Sequence, residues 1–401
     1  MRVLLSTIGS RGEAQPMVAL ASRLTASGQQ VVMCGPPDFH GWAQRWGVRY
    51  VPVGPRLRTT ASRSTNVLGT AEQRRLLVEG TIADQFAAVD AAAEGCDVVV
   101  AGGALAIAAH SVAERRGIGY VYTAFAPVTL PSPGHAPPPH PGRSPGPEGT
   151  VDNDARWAQD AQGWNLLWGP PLNARRAALG LPPVTDVRDH LLTATPWLAA
   201  DPTLAPWPGS ATSGVVQTGA WILPDDRPLP DEVRAFLDAG DPPVYVGFGS
   251  VRAPDGVVAA VVGAARALGR RVVVGRGWAE LAPVDDAPDC LPVGEVNQQA
   301  LFARVAVVVH HGGAGTTTTA ARAGVPQVIV PQVYDQFYFA GRVERLGVGV
   351  AHPPGGPTVA SVTAALDRAL RSPVAEAART TARAIRTDGA ATAARRLVQA
   401  T

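Results

Sequence analysis

The sequence predicts an α/β protein in which two Rossmann-like domains face each other across a cleft. Short apolar runs alternate with helical segments along most of the chain, and this alternation favours parallel sheets with right-handed crossovers. The length of 401 residues suits two domains that each bury a core. A proline-rich charged segment at 223–230 separates the two alternating series. We therefore predict an N-terminal domain over 1–215, a linker over 216–231 and a C-terminal domain over 232–401.

The N-terminal series starts with a strand over 3–6, continues through a loop over 9–13 and enters a helix over 16–24. Its regularity ends at 130–150, a stretch crowded with proline and glycine. Long irregular segments in compact domains are often functional, so we expect a mobile flap here, with a plain surface excursion as the alternative. The remaining strands are expected over 30–34, 50–53, 97–101 and 119–123, and the remaining helices over 37–46, 72–93, 104–116 and 154–179.

The C-terminal series repeats the same alternation of strands and helices after the linker. Its last predicted helix is long enough to pack back across both domains. The strands are expected over 244–248, 271–274, 306–309, 327–330 and 348–351, and the helices over 256–268, 298–305, 318–323, 336–346, 359–370 and 374–400.

Composition excludes several classes of protein. Hydrophobic residues make up 46% of the chain and charged residues 17%, which fits a compact protein, and the net charge of +2 gives no reason to expect nucleic acid as a partner. Cys34, Cys96 and Cys290 lack metal-ligand spacing, so we expect buried free thiols in a reducing compartment. No apolar stretch suits a signal peptide or a membrane helix. We expect a cytoplasmic protein without a cofactor or a metal site.

The stretch 307–319 combines a buried apolar strand, a glycine turn and the approach to a helix. Backbone N–H groups at a helix start lack partners, and the helix dipole favours negative charge there, so phosphate is the natural ligand. The glycines let the backbone approach an anion closely, and Thr316 adds a hydroxyl. Alternation along the strand points only one of the two imidazoles, His310 or His311, toward the turn. A purely structural tight turn is the alternative.

Asp335 and Gln336 follow the next predicted strand, so we expect them at the same edge of the parallel sheet as the glycine turn. Open α/β sheets bind ligands at that carboxyl edge. Together the two motifs resemble the nucleotide-sugar signature of family 1 glycosyltransferases of the B-type fold, particularly the actinobacterial enzymes that glycosylate antibiotics. The resemblance covers nearly the whole chain and is strongest in 9–16 and 293–349. It implies a nucleotide sugar in the C-terminal half and an acceptor in the N-terminal half.

The family pattern assigns donor contacts to the glycine turn and to the Asp-Gln pair. His311, and not His310, would donate to a phosphate oxygen, while Asp335 and Gln336 would bind hydroxyls of the transferred sugar and discriminate its epimers. Capping of the following helix is the alternative role for Asp335. The residues implied at the diphosphate are Gly313, Ala314, Gly315 and Thr316.

Further donor contacts are implied in the first loop and in two C-terminal loops. Arg11 would contact the diphosphate unless it forms a salt bridge between the domains, and Ser250 would contact a phosphate unless it only completes a tight turn. Trp278 would stack on the pyrimidine base unless it simply packs in the protein. The other implied residues are Ser10 and Gly12 near the diphosphate, and Val293 and Asn297 near the base.

Glycosyl transfer requires a group that accepts the proton of the acceptor hydroxyl and donors that stabilise the leaving diphosphate. Glu13 matches the place where related antibiotic glycosyltransferases carry an Asp that is proposed as the general base. Asp335 is the alternative base, and a structural Glu13 that caps the helix start is the third possibility. The expected acceptor pocket is apolar and aromatic and includes Phe125, His135 and Trp157, although a tryptophan stripe is also typical of a core.

The resemblance implies an inverting, metal-independent glycosyltransferase. It would move a sugar, expected to be a deoxysugar, from a dTDP- or UDP-sugar to a hydroxyl of a hydrophobic secondary metabolite such as a polyketide, macrolide or glycopeptide. Thr319 stands where UDP-sugar enzymes of plants carry a Glu for the ribose hydroxyls, which favours dTDP. A catalytically silent nucleotide-sugar-binding auxiliary protein is the alternative. An NAD(P)-dependent oxidoreductase is disfavoured because the loop at 9–13 is not Gly-x-Gly-x-x-Gly.

Overall fold

The computed structural model describes residues 1–58, 71–139, 152–209 and 214–400. Each half of the described chain forms a parallel sheet with buried apolar clusters on both faces, as the alternating pattern predicts. The strands, numbered β1 to β13 in chain order, are Arg2–Thr7, Gln30–Gly35, Arg49–Pro52, Val98–Gly102, Gly119–Ala124, Trp197–Leu198, Val216–Gln217, Val244–Gly247, Val272–Gly275, Cys290–Val293, Val307–His310, Gln327–Ile329 and Gly349–Ala351.

Helices connect the strands and cover the faces of both sheets. Two short 3-10 helices, Pro37–Phe39 and Pro127–Thr129, follow β2 and β5. The α-helices, numbered α1 to α14 in chain order, are Arg11–Ala26, His40–Arg45, Ala71–Ala92, Ala109–Arg116, Asn153–Ala178, Val187–Leu192, Asp231–Asp238, Val257–Ala267, Gln298–Phe302, Ala314–Ala323, Gln336–Arg345, Val359–Ala369, Ser372–Ala384 and Gly389–Ala400.

The first sheet has the strand order β3-β2-β1-β4-β5-β6-β7, and its paired strands are parallel. The central strands are apolar along most of their length because both faces are covered. Leu4 and Val99 pack in one buried cluster, whereas Leu5 and Val100 pack in the other. The strand order reverses between β1 and β4, and ligands of open α/β sheets bind beyond the carboxyl ends of the strands at such a reversal.

The second sheet has the order β10-β9-β8-β11-β12-β13, which reverses between β8 and β11. The glycine turn follows β11 and therefore lies at this reversal. Gly312 adopts a φ of +92°, and a Cβ placed there would lie 2.6 Å from Cγ2 of Ile329. Only glycine fits this position, because both the backbone conformation and the space exclude a side chain.

The C-terminal helix expected over 374–400 is instead two helices, α13 and α14. Asp201 of the N-terminal domain fixes the break by accepting a hydrogen bond from the backbone N–H of Arg386 at 2.8 Å. The backbone at Gly389 then approaches Gly219 so closely that a Cβ would lie 2.4 Å from its carbonyl carbon. Helix α14 packs on α1, so the C-terminal chain returns to the N-terminal domain.

Several element boundaries differ from the prediction. Helix α1 begins at Arg11 and α10 begins at Ala314, so the residues next to both glycine loops belong to first helical turns and not to loops. Strands β6, β7 and β10 and helices α6 and α7 were not predicted, since such short segments carry little periodicity. The strand Val216–Gln217 joins the first sheet, which extends the N-terminal domain into the predicted linker.

The predicted flap is only partly described. Its residues 140–150, which include His140 and Arg143, lie outside the described residues. The described part is anchored, because the indole N–H of Trp157 donates to the carbonyl oxygens of Ser132 at 3.1 Å and His135 at 2.9 Å. Mobility of the flap therefore stays a prediction.

The three cysteines are free, and Cys34 and Cys96 are buried as expected, whereas Cys290 is half-exposed. None of the helices within the described ranges combines the length and the apolar character that a bilayer crossing requires.

Candidate active site in the interdomain cleft

The start of helix α10 carries the unpartnered backbone donors that the sequence predicts. Gly313 is the N-cap residue, and the N–H of Thr317 is the first to close a helical hydrogen bond, to Gly313 O at 3.0 Å. The N–H groups of Ala314, Gly315 and Thr316 precede it and have no intrahelical acceptor. These three donors and the positive end of the helix dipole form a place for an anion.

Of the four consecutive threonines in α10, Thr316 differs from the other three in the hydrogen bonding of its hydroxyl. The hydroxyls of Thr317, Thr318 and Thr319 donate to the carbonyl oxygens four residues earlier, at 2.9, 2.7 and 2.9 Å. Thr316 stands in the first turn and forms no such bond within the described residues. Its half-buried hydroxyl is therefore available to the same anion.

The two adjacent histidines have different environments, as strand alternation predicts. His310 is fully buried, and its Nδ1 accepts a hydrogen bond from the N–H of Gly312 at 3.1 Å. Its Nε2 consequently carries the proton and donates to Oε1 of Gln327 at 2.9 Å. Burial lowers the pKa of His310 to about 3, so the ring is neutral and serves to hold the glycine turn.

His311 lies on the ligand side of the turn. A Cβ at Gly313 would lie 2.5 Å from its Nε2, and a Cβ at Gly249 would lie 3.8 Å from its Cε1, so two glycine backbones flank the ring. Burial lowers the pKa of His311 to about 4, which leaves one N–H donor at neutral pH. Its Nδ1 is buried and lacks a hydrogen-bond partner within the part of the chain that is described. A buried polar atom without a partner is consistent with a ligand contact.

Asp335 and Gln336 follow β12 at the same edge. Oε1 of Gln336 accepts hydrogen bonds from the N–H groups of Gln332 at 2.8 Å and Val333 at 3.2 Å, which closes the turn before α11. Asp335 occupies the N-cap position, but its side chain makes no capping hydrogen bond, so the capping alternative is wrong. Burial raises the pKa of Asp335 to about 7.

Glu13 does not lie in a loop, as the sequence suggested, but in the first turn of α1. Its Oε2 accepts a hydrogen bond from the N–H of Ser10 at 2.6 Å, while Oγ of Ser10 accepts one from Gly12 N–H at 3.2 Å. The pair forms a capping box, so the structural role expected as an alternative is present. Capping does not prevent Glu13 from acting as a base, because only one of its carboxylate oxygens, Oε2, accepts the hydrogen bond from the N–H of Ser10.

Two glycines make room for the Glu13 carboxyl group. A Cβ at Gly9 would lie 1.6 Å from Oε2, and a Cβ at Gly103 would lie 2.4 Å from Oε1. Burial raises the pKa of Glu13 to about 7, and the negative charge of Asp335 adds to this rise. The two candidate bases therefore come from different domains and face the same region of the cleft.

The other residues implied at the diphosphate have partners within the protein. Nη2 of Arg11 lies 3.2 Å from Oε1 of Glu295, and its guanidinium lies 4.1 Å from the centre of the Trp42 ring. The alternative of an interdomain salt bridge is thus observed for Arg11. Ser250 completes a turn in which Val251 N–H donates to Phe248 O at 3.2 Å, so the tight-turn alternative is also observed.

The residues implied around the base are engaged as well. Trp278 stacks on Phe39 of the N-terminal domain, with ring centres 5.6 Å apart and planes inclined by 19°. Val293 is buried, and its carbonyl accepts a hydrogen bond from Arg276 N–H at 3.0 Å. One face of Trp278 is therefore covered by protein packing, as its alternative role predicts.

The side chain of Asn297 has a structural role, and its contact with the base stays a prediction. It is buried, and its amide donates to the carbonyl oxygens of Asp225 at 2.7 Å and Arg227 at 2.8 Å. Its Oδ1 accepts from Ala300 N–H at 3.0 Å and so caps α9. Both amide hydrogens are used, and the side chain joins the linker to the C-terminal domain.

The acceptor candidates belong to the N-terminal domain and have different aromatic neighbours. Phe125 packs edge-on against Trp221 at 6.3 Å, whereas His135 contacts Trp157 at 5.8 Å and Trp207 at 6.1 Å. Trp157 is buried in the protein, as its core alternative predicts, but it also lines a cavity.

That cavity has a volume of about 20 Å³, enough for one water molecule. It is lined by Ala104, Tyr122, Thr129, Pro138, Trp157, Asp160, Trp164, Arg188, Leu192 and Tyr334.

The sequence is similar to those of known proteins. Residues 259–398 match the family model described as erythromycin biosynthesis protein CIII-like, C-terminal domain, and residues 3–132 match the glycosyltransferase family 28 N-terminal domain. The chain is 52% identical to glycosyltransferase GtfE of Amycolatopsis orientalis over 98% of this chain and 96% of the relative. It is 51% identical to vancomycin aglycone glucosyltransferase of the same organism over 100% of this chain and 98% of the relative.

The chain belongs to the antibiotic glycosyltransferases. Solved structures agree on the fold of this glycosyltransferase: the glycotransferase of kitacinnamycin superposes with a TM-score of 0.73 at 20% identity, covering 99% of this chain and 98% of that one. VinC in complex with dTDP superposes with a TM-score of 0.69 at 24% identity over the full length of both chains. The two-domain B-type fold is therefore confirmed. Because the similar proteins named above are glycosyltransferases, a catalytically silent auxiliary protein is not favoured.

Sequence reasoning missed several residues of the glycosyltransferase cleft. Gly103 seats the Glu13 carboxyl group although it follows a different strand, β4, and no local motif marks it. Asp160, Arg188 and Tyr334 line the cavity with Trp157, but they come from α5, α6 and the turn after β12. Only Tyr334 carried a signal, since it directly precedes the Asp-Gln pair.

Proposed function

We propose that this glycosyltransferase moves a sugar from a dTDP- or UDP-sugar to a hydroxyl group of a hydrophobic antibiotic aglycone of the glycopeptide type. The observation that carries the proposal is the approach of Glu13 and Asp335 from opposite domains to a cleft that also holds the open helix start of α10. The similarity to vancomycin aglycone glucosyltransferase supports this class of acceptor.

In the proposed reaction, Glu13 accepts the proton of the acceptor hydroxyl as the acceptor oxygen attacks C1 of the sugar. The bond from C1 to the diphosphate oxygen breaks, and the diphosphate leaves with the bonding electrons. The N–H groups at the start of α10, the hydroxyl of Thr316 and the neutral imidazole of His311 stabilise its growing charge. Asp335 binds the sugar. Direct displacement inverts the anomeric carbon.

The nucleotide preference is proposed to be dTDP. Thr319 offers no carboxylate to a ribose 2′-hydroxyl, and its own hydroxyl donates to Gly315 O at 2.9 Å. The similarity to dTDP-epi-vancosaminyltransferase of Amycolatopsis orientalis, 46% identical over 92% of this chain and 90% of the relative, supports the same nucleotide. We propose a deoxysugar or a hexose as the transferred group.

The test is product formation from vancomycin aglycone with dTDP-glucose and with UDP-glucose. Mass spectrometry should show the added hexose, proton coupling at C1 should show a β-glycoside, and dTDP-glucose should give the higher kcat/KM. Thr319→Glu should shift this preference toward UDP-glucose. An α-glycoside would contradict inversion, and an unchanged nucleotide preference in Thr319→Glu would contradict the role of this position. Titration with NAD should show no binding.

A further inference from the structure

One residue of the donor-binding domain reaches into the acceptor side of the cleft. Tyr334 lines the small cavity together with Tyr122, Trp157, Asp160 and Arg188 of the N-terminal domain. Among the lining residues that the structure describes, Tyr334 alone comes from the C-terminal domain. The cavity has a volume of about 20 Å³, which admits a water molecule but no aglycone, and Tyr334 forms part of its wall.

The backbone of Tyr334 is held in an uncommon conformation. Its φ is +57°, in the left-handed region that favours glycine and that bulky residues rarely adopt. The turn that imposes this conformation is fixed on both sides: Gln336 Oε1 accepts the N–H groups of Gln332 and Val333, and Gln332 Nε2 donates to Arg252 O at 3.0 Å. Such strain persists where the surrounding structure requires it, and it concentrates at functional sites.

The turn also connects the two substrates. Tyr334 precedes Asp335, the residue that we place on the donor sugar, and both leave the same turn after β12. The phenol of Tyr334 interacts electrostatically with Asp335 and Glu13, so Tyr334 lies near both candidate bases as well as in the wall of the acceptor cavity. Any movement of this turn alters the sugar contact and the wall of the acceptor cavity together.

We propose that Tyr334 is a specificity-determining residue for the acceptor, contributed by the donor domain, and that it closes the acceptor cavity and excludes water from the transferred sugar. This inference rests on the proposed function. The phenol packs against the part of the aglycone that reaches Glu13, and the turn withdraws to let the aglycone enter. Tyr334 touches the acceptor, whereas Asp335 touches the donor.

Three variants separate this role from others. Tyr334→Gly removes the wall, and because glycine suits the positive φ the relief of strain offsets part of the lost packing, so the variant should fold with a moderately lower Tm. Tyr334→Phe keeps the ring and should behave nearly as wild type. Val333→Gly is the matched control, because it adds the same backbone freedom to the turn but removes a side chain that is 39% exposed and retains Tyr334.

The measurements are the dTDP dissociation constant, the KM for vancomycin aglycone at saturating dTDP-glucose, and the rate of dTDP-glucose hydrolysis without acceptor. Tyr334→Gly should raise the aglycone KM about tenfold. It should also accelerate hydrolysis severalfold, since water then reaches C1, and it should change dTDP affinity by less than twofold. Val333→Gly should change none of the three.

Several outcomes would overturn the inference. If Tyr334→Gly weakens dTDP binding by the same factor as it raises the aglycone KM, the residue belongs to the donor site. If the aglycone KM and the hydrolysis rate are both unchanged, Tyr334 has no role at the acceptor. Failure of the wild-type protein to bind either dTDP or UDP would instead overturn the proposed function and this inference with it. Normal donor binding with an unaltered aglycone KM in Tyr334→Gly would overturn this inference alone.

Discussion

The two sides of the cleft hold their functional groups by different means. On the donor side, backbone N–H groups, glycines and neutral imidazoles within one continuous stretch, 310–316, form the proposed site. On the acceptor side, Glu13 depends on Gly103 from another strand, and the cavity collects side chains from distant segments. A site made of backbone is encoded locally, whereas a site made of side chains depends on the tertiary fold.

The largest effects are expected for the two carboxyl groups, Glu13 and Asp335, which come from the two sides of the cleft. Glu13→Gln is expected to lower kcat by roughly 100- to 10,000-fold, because the proton of the acceptor hydroxyl then has no carboxylate to accept it. Asp335→Asn should affect kcat less and should lower kcat/KM about tenfold, mainly by raising the KM for the nucleotide sugar. Steady-state kinetics with vancomycin aglycone measures both. A larger kcat loss in Asp335→Asn than in Glu13→Gln would make Asp335 the base.

The importance of the position of the Glu13 carboxyl group can be tested without replacing Glu13. In Gly9→Ala the new methyl group would occupy the position of Glu13 Oε2, and the flexible carboxyl end would turn away. We expect kcat to fall about 100-fold with little change in Tm, because the acid group leaves its productive position. Gly41→Ala on α2 is the matched control, since a Cβ there meets nothing within 4 Å. Full activity in Gly9→Ala would show that the observed position of Glu13 is not the catalytic one.

The pH dependence of activity should follow the raised carboxyl pKa. Glu13 must be ionised to accept a proton, and its pKa is raised to about 7 by burial and by Asp335. We therefore expect kcat/KM to fall about tenfold for each pH unit below 7 and to level off above it. Rates between pH 5 and pH 9 test this profile. A profile that is flat down to pH 5 would contradict a base with this pKa.

The pH dependence of stability should have a separate origin in His190 on helix α6. Burial and the charge of His110 lower the pKa of His190 from 6.5 to about 4, although Glu114 partly opposes this shift. The unfolded chain therefore binds the proton first as pH falls, and stability that is present above pH 6.5 is lost between pH 6.5 and pH 4. His190→Gln should reduce the loss of Tm between pH 7 and pH 5 by about 2 °C. Differential scanning calorimetry measures this, and an unchanged loss would place the acid sensitivity elsewhere.

The smallest effect is expected for the salt bridge between Arg11 and Glu295. Both side chains are partly exposed, at 31% and 46%, so a double-mutant cycle with Arg11→Gln and Glu295→Gln should give a coupling energy of at most about 1 kcal/mol. The same variants test the diphosphate contact implied for Arg11. If Arg11→Gln weakens dTDP binding and Glu295→Gln does not, Arg11 exchanges its partner when the donor binds.

Much of the fold could be predicted from the sequence because both sheets are parallel and buried, so their strands are continuous apolar runs. The glycine turn could also be predicted, because its strand, glycines and helix start lie in one continuous stretch of sequence. Reasoning failed where distant contacts decide the structure: Asp201 divides the last helix, and the linker uses the amide of Asn297. Glu13 was placed in a loop because the helix was predicted to begin at residue 16, whereas it begins at Arg11.

The most direct test of the account is a calorimetric titration of dTDP into the wild-type protein, His311→Ala and His190→Gln. The donor site is predicted to depend on the neutral imidazole of His311, so its removal should weaken dTDP binding about tenfold. His190→Gln lies away from the glycine turn and should bind as wild type. Wild-type affinity in His311→Ala, or no binding of dTDP to the wild-type protein, would contradict the assignment of the glycine turn as the nucleotide-sugar site.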